Sequence, residues 1–304
     1  MTPAARLRAA PLGLLAVLAL ALPVGALAQD TLRIAHVDWS SSVASAHVVA
    51  EAISRQLDVR VELSEHPVGD AWRAVAEGEA DAFLSAWLPS THAPYWAEHE
   101  DDLVDLGPNL EGTRTGLMVP DVAGSRQVGR GGQRGVNEAD IVSIADLEGR
   151  AERYGGRIIG IDPGAGVMRQ TEAAMEAYGL QDWELVVTGS EAAMIHRLRE
   201  AIRRGDDIVV TGWVPLWVHA RWQLRFLEDP EGVYGGREAI HTVVRPGLAD
   251  DMPAAADALD AFAWSAEEMQ QMMLWMVEGE SAFPRDAARR WLDANASRAA
   301  AWFE

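Results

Sequence analysis

Three tryptophans carry the most chemical promise in this chain: Trp39 in HVDWSSSVAS, Trp87 in SAWLPSTH and Trp213 in VVTGWVPLW. A core tryptophan usually lies inside an apolar run. Each of these instead ends one and is followed by Ser, Leu-Pro or Val-Pro, which predicts an indole face turned toward a cleft. Indole is the strongest aromatic partner for a cation, because the negative face of its quadrupole attracts positive charge without a lone-pair acceptor. A cation that cannot donate hydrogen bonds fits such a surface best, so the expected ligand class is a quaternary ammonium.

A second signal is GIDPGAGVM, residues 160–168, which reads as strand, tight turn and helix start near Val167. Free N–H groups and the positive end of the dipole at a helix N-terminus suit a small anion. Gly164 and Gly166 allow close backbone approach. The segment lacks the Lys-Ser/Thr of a phosphate loop and the GxGxxG spacing of a dinucleotide site, so a carboxylate fits it better than a nucleotide. His92, five residues after Trp87, is a candidate donor to the anionic end of the same ligand. The remaining histidines show no metal-ligand spacing and no cofactor is implied. No GxSxG nucleophile elbow occurs. A sugar-active hydrolase would need a carboxylate pair beside the aromatic faces. The nominees are Asp38, expected to point away from Trp39 along the strand, and Asp162, expected to cap its own turn.

These residues need a scaffold that presents strand ends to a cleft, and the chain alternates strand and helix signals as an α/β protein does. Strands are expected at Leu32 to Val37, Val59 to Leu63, Ala82 to Ala86, Thr115 to Val119, Arg157 to Asp162, Glu184 to Thr188, Ile208 to Thr211 and Ile240 to Arg245. Helices are expected at Ala44 to Gln56, Ala71 to Glu77, Val167 to Tyr178 and Ser190 to Arg203, with Ser190 as cap. A short helix follows Ser143, and the stretch from Ala255 to Phe303 is helical. The Met and Trp cluster at Trp264, Met269, Met272, Met273, Trp275 and Met276 reads as core. Ligands of open α/β sheets sit outside the carboxyl ends of strands, where Trp39, Trp87, Gly166 and Trp213 all fall.

Composition narrows the setting. Residues 1–28 read as a cleaved secretory signal, with Arg6 and Arg8, an apolar stretch from Leu12 to Leu22 and the small-x-small site Ala26-Leu27-Ala28. The apolar stretch is short for a membrane-spanning anchor. There is no cysteine, hence no disulfide and no lipidated N-terminal thiol, and the expected location is the periplasm. Losing Arg6 and Arg8 moves the formal charge from −20 to −22, which argues against nucleic acid or an anionic membrane surface as partner. All 26 basic residues are arginine. GC-rich coding and work in high salt, where dense carboxylates stay hydrated and screened, both account for this balance. The Gly/Arg-rich loop at 124–137 reads as a solvent loop that stays away from the site.

With VDWSSSVAS, DAFLSAWLPSTH, GIDPGAGVM, SEAAM, VVTGWVPLW and LEDPEGVYG in view, the chain resembles the substrate-binding proteins of glycine betaine ABC transporters across nearly its whole mature length. The resemblance implies a two-lobed periplasmic-binding fold of type II, with two α/β lobes joined by two crossing strands. Lobe I would comprise residues 29–114 plus 241–304, and lobe II residues 115–240. It implies a prism of Trp39, Trp87 and Trp213 around the trimethylammonium, and a carboxylate held by His92 and by the amides of Gly166 and Val167. It further implies a monomer that closes around ligand by hinge motion and docks on a membrane permease. One departure is Leu216, where the family often has histidine. Choline, carnitine, proline betaine and dimethylsulfoniopropionate stay open as main ligands, and so does a receptor that feeds a sensor rather than a transporter.

Overall fold

The computed structural model describes residues 30–121, 141–278 and 283–304; the expected signal at 1–28 and the Gly/Arg-rich loop at 124–137 lie outside them. The first third of the chain builds β1 (Thr31–His36), α1 (Ser40–Gln56), β2 (Arg60–Glu65), α2 (Val68–Ala76), β3 (Ala82–Leu88) and α3 (Ala93–His99). β3 is AFLSAWL and buried at every position, as expected of a central strand covered on both faces. α1 is rich in Ser and Ala, and this small-residue surface lets it sit deep: ten of its seventeen residues are buried.

A long strand, β4 (Val104–Pro120), then carries the chain across the molecule. The second unit comprises β5 (Arg157–Ile159), α4 (Gly166–Ala177), β6 (Glu184–Val186), α5 (Glu191–Arg204), β7 (Val209–Val214), α6 (Val218–Arg221) and β8 (Leu224–Phe226). α5 has the local signals for both its ends. The Ser190 hydroxyl accepts the Ala193 N–H at 3.2 Å, and Gly205 closes the helix at φ 75°, a conformation costly for other residues. β9 (Glu238–Val244) returns the chain to the first unit, and α7 (Leu248–Asp251), α8 (Pro253–Ala261), α9 (Ala266–Glu278), α10 (Pro284–Ala294) and α11 (Ala296–Ala300) complete it.

Among the described residues the strands form one nine-stranded sheet in the order β2-β1-β3-β9-β4-β7-β5-β6, with β8 paired to β4. β4 belongs to both halves: its residues Val104 to Thr113 pair with β9, and Arg114 to Met118 pair with β7. β9 opens at Glu238, two residues before the expected start at Ile240, and pairs throughout with β3 or β4. β1 and β3 are parallel, as are β5 and β7, so within each half the segments that follow these strands emerge at one edge. Of the Met and Trp cluster, Trp264, Met269, Met272 and Met273 are core as expected, while Trp275 and Met276 are half-buried against it. Trp291 and Trp302 stack 6.0 Å apart within the same helical layer. No helix among the described residues is long and apolar enough to cross a membrane.

Candidate functional site

Trp39 stands at the N-cap of α1, in extended conformation, immediately after β1. Trp87 and Trp213 are the penultimate residues of β3 and β7, one position further into the strands than the sequence suggests, and each strand runs into a cis X-Pro bond, Leu88–Pro89 and Val214–Pro215. The edge geometry brings the three indoles to one cavity of about 320 Å3, which they line together with Ser41, Thr91, His92, Thr115 and the segment Ala165 to Val167. The tryptophans are 8, 4 and 5 % exposed. All six residues singled out in the sequence, Trp39, Trp87, His92, Gly166, Val167 and Trp213, therefore face one space.

The polar lining of this cavity includes N–H donors besides its hydroxyls. His92 is fully buried, and its Nδ1 accepts the Trp87 backbone N–H at 3.1 Å. Burial, assisted by the nearby Arg169 cation, pushes the imidazole down to about 3, so the ring is neutral near pH 7 and its one proton sits on Nε2. That Nε2–H has no protein partner. At α4 the N-cap is Ala165, which offers no side-chain acceptor. The amides of Gly166 and Val167, in the first turn, lack intrahelical acceptors and lie at the positive end of the dipole. A buried N–H without a partner costs free energy, so three convergent donors on an otherwise aromatic cavity ask for an anion at one end and a soft cation at the other.

Gly166 is required by packing rather than by backbone angle. A Cβ there would lie 2.9 Å from the carbonyl carbon of Thr91 and closer still to its oxygen. Other contacts join the same two edges. The Trp39 indole N–H donates to Asp162 Oδ2 at 2.9 Å, and the Ser40 N–H donates to Glu191 Oε2 at 3.0 Å. Arg169 donates to the carbonyls of Thr91 and Gly164, at 3.0 and 3.1 Å, while Tyr95 Oη donates to Gly164 at 2.8 Å. Gln170 on α4 takes the Thr115 hydroxyl at 2.8 Å and donates to the Tyr234 carbonyl at 3.2 Å. Glu238, at the start of β9, accepts both Ser90 Oγ and Thr91 Oγ1 at 2.7 Å and so fixes the turn between Trp87 and His92. Glu191 is buried at the first position of α5, and desolvation pushes its carboxyl up to about 7.

One sequence expectation changes. Asp162 spends its carboxylate on the Trp39 indole and not on its own turn. Asp38 and Asp162 both border a larger outer cleft beside the cavity, apart from any paired arrangement on the cavity wall. Ser41, Thr91 and Thr115 also line the site without being assigned to it in the sequence, where Ser41 reads as a turn or cap residue and Thr115 has no local signal at all.

The profile of the substrate-binding domain of ABC-type glycine betaine transport systems matches residues 30–294. The glycine betaine/carnitine transport binding protein of Listeria monocytogenes is 45% identical over 147 residues, 48% of each chain, so this chain matches about half the length of that curated relative. Among solved structures, the lactococcal protein in its closed-liganded conformation with glycine betaine is 35% identical with a TM-score of 0.80, over 91% of this chain and 100% of that one. A glycine betaine/L-proline-binding protein from Borrelia burgdorferi is 29% identical with a TM-score of 0.81, over 90% and 97% of the two chains. These relatives are transport binding proteins with the two-lobed type II periplasmic-binding fold, and the fold described above is theirs. The chain belongs to the family of substrate-binding domains of ABC-type glycine betaine transport systems.

Proposed function

We propose that this protein binds glycine betaine, or a closely related carboxylated quaternary ammonium, between lobe I (29–114 plus 241–304) and lobe II (115–240), and delivers it to a membrane ABC permease. The single observation that carries this reading is the cavity itself, in which three indoles face the neutral His92 Nε2–H and the Gly166 and Val167 amides. The indoles take the trimethylammonium; the three donors take the carboxylate. Each desolvated cation–π face contributes about 0.5–2 kcal/mol. With charge-assisted hydrogen bonds to the carboxylate, the sum reaches micromolar affinity, about −8 kcal/mol.

The role is binding without chemical conversion, by a monomer acting after export to the periplasm. Attraction to aromatic faces does not depend on long-range charge and survives high salt, where an osmoprotectant is needed. Trp39, Trp87 and His92 belong to lobe I, and Gly166, Val167 and Trp213 to lobe II, so ligand bridges the two and stabilises the closed arrangement. Replacement of Trp87 by Ala tests the assignment by calorimetric titration with glycine betaine. Loss of about thirtyfold or more in affinity, with an unchanged far-ultraviolet spectrum, is the expected result. Unchanged affinity would remove Trp87 from the site and the cage with it. Stronger binding of choline, dimethylsulfoniopropionate, carnitine or proline betaine in the same titration would reassign the ligand within the class.

A further inference from the structure

Trp39 differs from the other two cage tryptophans. Alone among the three, it lines both the indole cavity and the outer cleft, and so stands at the boundary between them. Its indole N–H is held from across the cleft by Asp162 Oδ2 at 2.9 Å. A buried indole N–H needs an acceptor, and a carboxylate makes one of the stronger kinds of hydrogen bond available to it. Asp162 lies four residues before Gly166, on the turn that also supplies the anion-binding amides. The same turn is anchored on its other side by Tyr95 Oη and Arg169, which both donate to the Gly164 carbonyl. One short segment thus carries the donors for the anionic end of a ligand and the acceptor for the ring that covers its cationic end.

We propose that Asp162 is a positioning residue, a latch that holds Trp39 as the closing wall of the cavity and so sets the rate at which ligand escapes. The inference rests on the betaine reading of the site. Without the carboxylate, the ring keeps its aromatic face but loses the bond that fixes its plane, and the wall opens toward the outer cleft. Association is little affected, because glycine betaine enters before the latch forms.

Stopped-flow tryptophan fluorescence with glycine betaine measures both rates. D162A is expected to raise koff about tenfold or more, the loss of one hydrogen bond to a charged group, with kon within about threefold of the unaltered protein. D162N, which retains an oxygen acceptor without the charge, falls between the two. W39F keeps a ring face and removes the N–H. In that background D162A changes koff by less than about threefold, a non-additivity that a merely structural role of the turn would not produce. An unchanged koff in D162A overturns the latch, and so does an equal effect of D162A with and without W39F. Where D162A misfolds by circular dichroism, D162N against W39F decides on the same criteria. Failure of the unaltered protein to bind glycine betaine would contradict the function instead, which keeps the two failures distinguishable.

Discussion

A single methyl group at Gly166 separates folding from binding. Gly166 is the first residue of α4, with helical backbone, so alanine is locally acceptable and stabilises a helix relative to glycine by roughly 0.5–1 kcal/mol. The obstacle lies across the cleft, where the new Cβ meets the Thr91 backbone, 2.9 Å from the carbonyl carbon and nearer to the oxygen. Because the clash is with main chain, no rotamer change relieves it. Restoring ordinary contact requires the two segments to part by about 1 Å. That movement stretches the Arg169 bond to the Thr91 carbonyl, now 3.0 Å, and the Trp39 bond to Asp162, now 2.9 Å, beyond useful hydrogen-bond range. Each bond involves a charged group and is worth about 1.5–3 kcal/mol, so closure loses roughly 3 kcal/mol or more, a hundredfold or greater weakening of glycine betaine binding. The assay is calorimetric titration beside thermal denaturation of the ligand-free protein, whose midpoint should be unchanged or raised. Gly164→Ala is the control: its nearest neighbour is the Val68 Cγ1 methyl at 3.2 Å, which can give, and less than about tenfold loss is expected. Affinity within threefold of the unaltered protein in Gly166→Ala would refute the close approach and the closure built on it.

Other consequences follow from individual residues. His92→Ala should weaken glycine betaine far more than choline, which has no carboxylate to accept the Nε2–H; equal losses in parallel titrations would take His92 off the anionic end. Glu191 is held protonated up to about 7 by burial, against an ordinary value of 4.5, so the closed form binds its proton more tightly than an open one. Affinity should therefore be greatest below about pH 4.5, decline between there and about 7 by no more than about tenfold per pH unit, and level off above 7, and Glu191→Gln should flatten the profile. A profile that rises with pH would reverse this assignment. Glu51 on α1 gathers the guanidinium groups of Arg55, Arg285 and Arg289, at 3.0–3.1 Å, and ties α10 to the core. These hold its carboxyl below the ordinary range, so its contribution is present at neutral pH and is lost as pH falls through the folded value. Glu51→Ala should cost about 2 kcal/mol in urea denaturation at pH 7, with the difference shrinking in acid.

The parts of this fold that were legible in the sequence are those set by local physics. Apolar runs ending in Trp-Leu-Pro or Trp-Val-Pro marked β3, β7 and two of the indoles; Ser190 marked the start of α5; the Pro-Gly-Ala-Gly turn announced α4. The first half of β4 was missed. Its sequence VDLGPNLEGT has Gly, Pro and Asn where strands avoid them, and the ladder accommodates these with three irregularities against β9. The polar contacts that join the two sides of the cleft left no trace either. Trp39 and Asp162 are 123 residues apart, and Ser40 and Glu191 are 151 apart. An Asp in a turn and a Glu in the first turn of a helix each have a sufficient local explanation, and only tertiary structure shows that both reach across. The return strand begins earlier than expected, at Glu238, a residue with weak strand propensity whose carboxylate accepts from Ser90 and Thr91.

The most direct test of the central claim is calorimetric titration of the unaltered mature protein with glycine betaine, with choline in parallel, at low and high salt. The account predicts micromolar or tighter binding of glycine betaine, persistence of that binding in high salt, and much weaker binding of choline. Absence of heat with either ligand would return the three indoles to the role of cleft packing. Choline bound as tightly as glycine betaine would leave the aromatic cage in place and contradict the carboxylate role given to His92, Gly166 and Val167.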